Sequence, residues 1–407
     1  MTDTQMTPAA KAAWGSYLEA LEWIREFIFT REFADRPLVK EQGNQFLMQM
    51  QAAAYQWIIA PRVDYPRFYR SIYEPMVWNF GLPSPDYGYR WAFVDGSQTY
   101  KIWGKLGKYC FLDIQLQPLF GSVEEAEFMK LPTSFYPFDK MEIEADGSFE
   151  IVASPDYHPG NWIQTDPAQD RMALFVRECF NDWENERPSL LRIERVGVSP
   201  PRPIQWDEAE FIKNVGHAAR FVKFIVKNWI GFAFDLSYKN QGRTFNSFAT
   251  QVVPANSGVN TAAVYHNMVF SLEPDEALII ESEVPTSTYW SFCLCDRYTQ
   301  LADFTYHQSS LNGHQARIGS DGKFRAVLSQ KDPGVPNWLD PVDTAPLGLM
   351  QFRQFFQESA VGLPSVRKVK VEEVRRNLPS DTPSISPEER ARQLKDRSWS
   401  VLSLYGY

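Results

Sequence analysis

Asp146-Gly147-Ser148-Phe149-Glu150-Ile151-Val152 and Asp321-Gly322-Lys323-Phe324-Arg325-Ala326-Val327 are one pattern written twice in the same chain. In each, Asp-Gly supplies turn chemistry, because Asp bonds nearby backbone and Gly accepts a positive φ. An aromatic and alternating apolar residues follow at the two-residue period of a half-buried strand. The landmarks after this turn keep their order. About fifteen residues on come Asn161-Trp162-Ile163 and Asn337-Trp338-Leu339, and equal steps from each Asn lead to Arg177 in Leu-Phe-Val-Arg and Arg353 in Met-Gln-Phe-Arg. Upstream, Lys108-Tyr109-Cys110-Phe111 sets more weakly against Thr288-Tyr289-Trp290-Ser291-Phe292. Landmarks in one order mark an internal duplication with a unit of roughly a hundred residues.

A unit of that size, with many short strands and no strand–helix alternation, reads as an antiparallel sandwich or jelly roll. The expected fold is therefore α+β and mainly β, with two such modules over 81–204 and 236–362. Residues 1–80 form a helical N-terminal segment. There Trp14, Leu18, Leu21, Ile24 and Ile28 recur at helical steps, and a second helix opens at Pro37 and stops before Pro61. The aromatic stretch from Tyr65 to Trp78 is broken by Pro66 and Pro75. Over 205–235 a connecting helix starts at an Asp207 cap, with Glu208 and Glu210 in its first turn and Phe211, Val215, Ala218, Val222, Ile225 and Trp229 on one stripe. Residues 363–407 are read as a C-terminal tail.

Composition narrows the function classes. The 407 residues suffice for two domains with independent cores. A 15% aromatic share with 13 Trp favours aromatic-lined β structure or pockets. A net charge of −9, spread along the chain, argues against nucleic acid as a partner, since phosphates demand a basic face. The four cysteines, Cys110, Cys179, Cys293 and Cys295, lack the second pair or spaced His of a metal motif and read as buried free thiols. The N-terminal residues show no secretory pattern. The longest apolar stretch, 221–234, is interrupted by Lys223, Lys227 and Asn228 and falls short of the ~20 residues of a membrane span. A cytoplasmic protein with no membrane span is expected, and a homo-oligomer is compatible with the sequence. Neither a Gly-rich phosphate loop nor a Gly-x-Ser-x-Gly elbow occurs.

Longer stretches carry a family likeness: Asp146-Gly147 to Asn161-Trp162, Leu190 to Arg195, Pro274-Asp275-Glu276-Ala277-Leu278-Ile279-Ile280-Glu281, Tyr289 to Phe292, Ser310-Leu311-Asn312, Asp332 to Asp340 and Leu378 to Pro383. In these the chain resembles the domain-of-unknown-function 1214 family of bacterial proteins. The resemblance implies paired β-sandwich modules over most of the chain and assigns no chemistry. It also implies that some relatives are exported, and a more basic tail than Ser400 to Tyr407 provides.

The second module holds the richer polar set: Asp296, Asp303, His307, Asn312, His314, Asp332, Asn337 and Asp340. Asp340, His307 and Asp332 are the candidate catalytic residues, carboxylates and an imidazole suited to acid–base work where burial separates their pKa values. The plainer reading of Asp332-Pro333-Gly334 is a turn whose Asp bonds backbone. Candidate substrate-binding residues are Tyr265, His266, Trp290, Asp296, Asn312, His314, Trp338 and Arg353. His307 and His314, seven residues apart, match no recognised ligand spacing, so neither a metal nor another cofactor is expected. The Asn-Trp pairs occur in both modules and read as structural. So do Arg177 and Arg353, as donors to loop carbonyls, although a functional one would clamp a substrate carboxylate. Tyr265, His266, Asp296, His307, Asn312, His314 and Asp340 are singled out because they lack counterparts in the first module. The expected function is an enzyme acting on a largely apolar, oxygenated small molecule by Asp/His chemistry, hydrolysis or elimination. The rival is a non-catalytic glycan- or lipid-binding sandwich, marked by solvent-facing Trp along one sheet face.

Overall fold

The computed structural model describes residues 6–70, 79–198, 207–251, 262–359 and 362–405. Its strands are β1 (Tyr69–Arg70), β2 (Tyr87–Val94), β3 (Tyr100–Lys105), β4 (Phe111–Pro118), β5 (Ser134–Pro137), β6 (Ser148–Ser154), β7 (Trp162–Gln164), β8 (Met172–Cys179) and β9 (Leu190–Arg195) in the first module. The second module has β10 (Ala249–Gln251), β11 (Ala263–Ser271), β12 (Glu276–Glu283), β13 (Ser287–Cys295), β14 (Ser310–Asn312), β15 (Lys323–Ser329), β16 (Trp338–Leu339), β17 (Leu347–Gln357) and β18 (Ser365–Lys370). The helices are α1 (Pro8–Phe29), α2 (Pro37–Ala54), a single turn α3 (Glu125–Phe128), α4 (Glu208–Ile225), α5 (Leu236–Asn240) and α6 (Pro387–Tyr405).

Strand order establishes the duplication. A five-stranded sheet β1-β2-β8-β4-β5 and a four-stranded sheet β7-β6-β3-β9 repeat, strand for strand, as β10-β11-β17-β13-β14 and β16-β15-β12-β18. Gly147 and Gly322 both take positive φ, +84° and +80°, which explains why the turn into each copy keeps a glycine. Phe149 then enters a core with Ile102, Ile114 and Val176, and Phe324 enters one with Ile280, Phe292 and Phe352. In both modules the two sheets face each other across these cores.

The Asn-Trp landmarks hold the sandwiches at one edge. Asn161 donates to the carbonyls of Glu142 (2.7 Å) and Glu150 (3.0 Å) and accepts from the Glu142 amide. Asn337 does the same with Arg317 (2.6 Å) and Arg325 (2.8 Å) and accepts from the Arg317 amide. Each side chain thus satisfies three backbone groups at an edge where one short parallel strand joins the sheet. The indoles of Trp162 and Trp338 donate to the carbonyls of Ser154 and Ser329.

The reverse faces of the five-stranded sheets are also covered. Trp91, Phe93 and Phe175 of the first module and Val269, Cys293 and Leu349 of the second share one apolar cluster with Ile24, Phe46, Phe221 and Ile225 of the helices. The α4 stripe is buried at Val215, Ala218, Val222 and Ile225. Of the α1 stripe, Ile24 and Ile28 are buried and Leu21 is half-buried, whereas Trp14 and Leu18 are exposed. The connecting helix runs beyond its expected end, through wide turns over Val226–Asp235 into α5. The segment expected as a tail contributes β18, which pairs antiparallel with β12 and completes the second module. Residues 1–5, the stretch 71–78 with Pro75 and Trp78, the first module's boundary at 204, residues 406–407 and the Trp229 side chain lie outside the described residues.

Asn337→Ala removes three backbone partners in a buried setting and is expected to lower unfolding stability by about 2–4 kcal/mol in urea denaturation. Asn161→Ala, at a half-buried site, is expected to cost less.

Candidate functional site

Strand parity decides which residues leave the cores. Val176 and Ile114 point into the first sandwich, so their neighbours Arg177, Asp113 and Phe175 point out of it. Register aligns Tyr89, Arg177 and Asp113 in one row across β2, β8 and β4. The second module places Tyr265, Arg353 and Ser291 in the same row across β11, β17 and β13. The rows meet between the modules. The charge of Arg353 acts on both Tyr89 and Tyr265, and Arg177 acts on both as well.

The rows are alike in every position but one. Arg177 holds Asp113 through two parallel hydrogen bonds, Nε to Oδ1 at 2.9 Å and Nη2 to Oδ2 at 3.2 Å, with both side chains buried. Arg353 occupies the equivalent position, but Ser291 stands where the carboxylate would be. Its Nη2 donates to the carbonyls of Leu82 (3.1 Å) and Pro83 (2.8 Å), to Gln351 and to the Cys293 sulfur (3.4 Å). Its Nε is buried and has no partner among the described residues. Arg353 is only 2% exposed, so a permanent cation sits inside the protein, held by carbonyl, amide and thiol groups and by no carboxylate among the described residues.

Tyr89 and Tyr265 remain half-buried while burial pushes both phenols above their ordinary range, against the opposing pull of Arg353. Both pack against the aromatic cluster of Tyr87, Phe111, Tyr289 and Phe355 at the seam of the two modules. Phe175 stacks on Tyr89 with centroids 5.5 Å apart, and Phe355 meets Tyr265 edge-on at 6.3 Å. Beside this row Asp86 accepts from the Tyr289 hydroxyl (2.6 Å), the Asn312 amide (2.6 Å) and the Trp183 indole (2.8 Å). Burial raises the Asp86 carboxyl and these three donors oppose the rise. Asn312 also donates to the Asn181 carbonyl, so it fastens the second module to the first.

Among the eleven residues selected from sequence, Tyr265 and Arg353 are the pair brought together in this row. Tyr265 does have a counterpart, Tyr89, contrary to the expectation that singled it out. Likewise Tyr289 corresponds by register to Phe111, not to Tyr109. His307 and Asp340 meet elsewhere: Nδ1 lies 2.8 Å from Oδ2, with the imidazole 41% exposed. Asp332 does not join them. It accepts from the Gly334 amide, as in a turn, and pairs with Arg390 of α6 at 2.9 Å. Asp296 also closes a turn, accepting from the amides of Tyr298 and Gln300, and burial lifts its carboxyl to about 7. His266 points into the second core, 3.1 Å from the Thr250 hydroxyl, and burial lowers its pKa. Trp290 packs edge-on against Phe324 at 5.1 Å, and Trp338 lies beneath the Arg390 guanidinium. His314 is exposed, 3.8 Å from Asp182. No group of three His, Cys, Asp or Glu among the described residues is arranged to hold a metal ion.

Sequence reasoning found both arginines but missed Tyr89, Asp113 and Asp86. The available signal was the unequal partner of a repeated arginine, and it required strand register to read. Residues 271–352 match the family model described as Protein of unknown function (DUF1214). The chain is also similar to an uncharacterized protein from Burkholderia cenocepacia in its crystal structure, with 27% identity and TM-score 0.78 over 88% of this chain and 97% of that one. The VPA0106 protein from Vibrio parahaemolyticus aligns over 89% of this chain and 99% of its own, at 10% identity and TM-score 0.46. No curated protein matches the chain.

The raised Asp296 gives a pH prediction. Its folded carboxyl keeps a proton to about pH 7, whereas the unfolded one releases it near 3.8, so this group makes stability fall as pH rises through that window. Asp296→Asn removes the term. The stability of this variant relative to wild type is expected to improve by about 2 kcal/mol between pH 5 and pH 7, read by urea unfolding at both values.

Proposed function

For this chain, a member of the DUF1214 family through its second module, we propose that a small, largely apolar molecule bearing a carboxylate or similar anionic oxygen group binds between the modules. Arg353 grips the oxygens, and Tyr89 and Tyr265 flank the apolar part. The observation that carries this reading is the asymmetry of the repeated arginine: Arg177 owns a buried carboxylate and Arg353 does not. A buried guanidinium is costly unless an anion compensates it, and a bidentate anion is the group its fork fits. The aromatic walls suit an apolar body, and pockets that bind small molecules combine such walls with few polar anchors.

A second reading, acid–base catalysis of hydrolysis or elimination, rests on the 2.8 Å contact between His307 and Asp340. There Asp340 would orient the imidazole, leaving the exposed ring to take a proton. We assign the protein to the cytoplasm as part of the proposal, supported by its four unpaired cysteines. No helix among the described residues is long and apolar enough to cross a membrane.

The binding reading is tested by calorimetric titration with 2-naphthoate and its neutral analogue 2-naphthol. Wild type is expected to prefer the anion, Arg353→Met to lose at least about tenfold in affinity, and Ser291→Asp to lose binding by supplying the missing carboxylate from within. Equal affinity of wild type and Arg353→Met for 2-naphthoate would remove the basis of the reading. For the catalytic alternative, His307→Ala and Asp340→Ala are each expected to abolish turnover while the melting temperature stays nearly unchanged; a lowered melting temperature with turnover retained marks the pair as structural.

A further inference from the structure

A separate cleft of about 680 Å³ opens where the mouth of the first sandwich meets the second module. Its walls are Leu106, Leu112, Phe138, Met141 and Ile143 from the first module, with Phe356 across from them. The volume falls in the range of small-molecule sites, and the lining is mostly apolar. One full charge borders it: Lys140, which is exposed and makes no ion pair among the described residues. Phe356 is unusual in two respects. It stays 39% exposed, and its backbone holds φ at +53°, the left-handed region that bulky residues avoid. Its ring meets Phe111 edge-on at 5.3 Å. A strained, exposed aromatic over an apolar recess is a wall in need of a partner.

This cleft is distinct from the row that holds Arg353. Phe111 stacks on Phe355 at 5.3 Å, and none of Tyr89, Tyr265 and Arg353 lines the cleft. We propose that the cleft binds a long-chain carboxylate, its apolar chain between the sandwich mouth and Phe356 and its anionic end at Lys140. Charge complementarity commits the head group, since Lys140, the single cation lining the cleft, makes no ion pair among the described residues. The apolar lining commits the chain, because contact with it removes hydrocarbon from water along its length.

Cys110 lines the same cleft, half-buried, with its thiol 3.5 Å from the Thr288 carbonyl. Cys179, Cys293 and Cys295 are fully buried. In the folded protein iodoacetamide should therefore mark Cys110 alone, and the rate of that labelling, followed by mass spectrometry, reports on the cleft without an assay of activity. Dodecanoate, below its micelle concentration, is expected to slow Cys110 labelling at least about tenfold. Lys140→Gln is expected to raise the dodecanoate concentration needed about tenfold, and 1-dodecanol to protect poorly. Arg353→Met should leave the protection intact, which separates this site from the one proposed above. Unchanged labelling in saturating dodecanoate, or exposure of the three buried thiols instead of protection, overturns the proposal; equal protection by dodecanol and dodecanoate overturns the assignment of the head group to Lys140.

Discussion

Each five-stranded sheet must bury both of its faces, and this constraint organises the molecule. One face is closed within the module by the four-stranded sheet. The other has no counterpart inside the module, so it is closed by helices and by the facing module. A strand with two buried faces cannot alternate apolar and polar residues in the ordinary way. Polar side chains on its second face must then be satisfied inside the protein, which is why Arg177 meets Asp113, and Asp86 collects three donors.

Duplication turns that obligation into a comparison. Two copies of one row begin with the same need, an arginine to be neutralised, and meet it differently. In the first copy the carboxylate is supplied by the next strand, and the pair is self-contained. In the second, Ser291 belongs to the Tyr289 and Asp86 network, 2.7 Å from the Tyr289 hydroxyl, and Arg353 turns to carbonyls of the segment before β2. Carbonyl dipoles support a guanidinium without cancelling its charge. The second row therefore holds an arginine with no carboxylate from its neighbouring strand, where the first row supplies one.

What was legible in the sequence follows the same logic. Features fixed by backbone geometry survived duplication as recognisable letters: Gly147 and Gly322 at positive φ, Asn161 and Asn337 bonded to the backbone, and the indoles of Trp162 and Trp338. Features fixed by pairing were not legible. Tyr265 shares no local motif with Tyr89, and only the register beside Arg353 and Arg177 reveals their equivalence. β18 is hard to tell from a tail because Ser365-Val366-Arg367-Lys368-Val369-Lys370 is an edge strand whose charges and partial exposure on both faces blur the two-residue pattern. The helix α6 escaped because it docks through buried guanidinium groups, Arg390 and Arg397, more than through an apolar stripe.

That docking also explains the polar excess of the second module. Asp332 takes Arg390, Gln308 takes Gln393 at 2.8 Å, and Ser310 takes Arg397 at 2.7 Å, while Asn312 reaches across to Asp86. These groups are thereby committed to holding α6 and the seam between the modules. Counting unmatched polar residues therefore selects for the attachment of α6 as readily as for a site. A buried charge whose twin has a carboxylate partner is a stricter criterion, because it compares one register position with its copy. By that criterion the strands at the seam outrank the loops, and strands, held on both faces, are also the elements best able to keep an arginine and two tyrosines in fixed relation to a ligand.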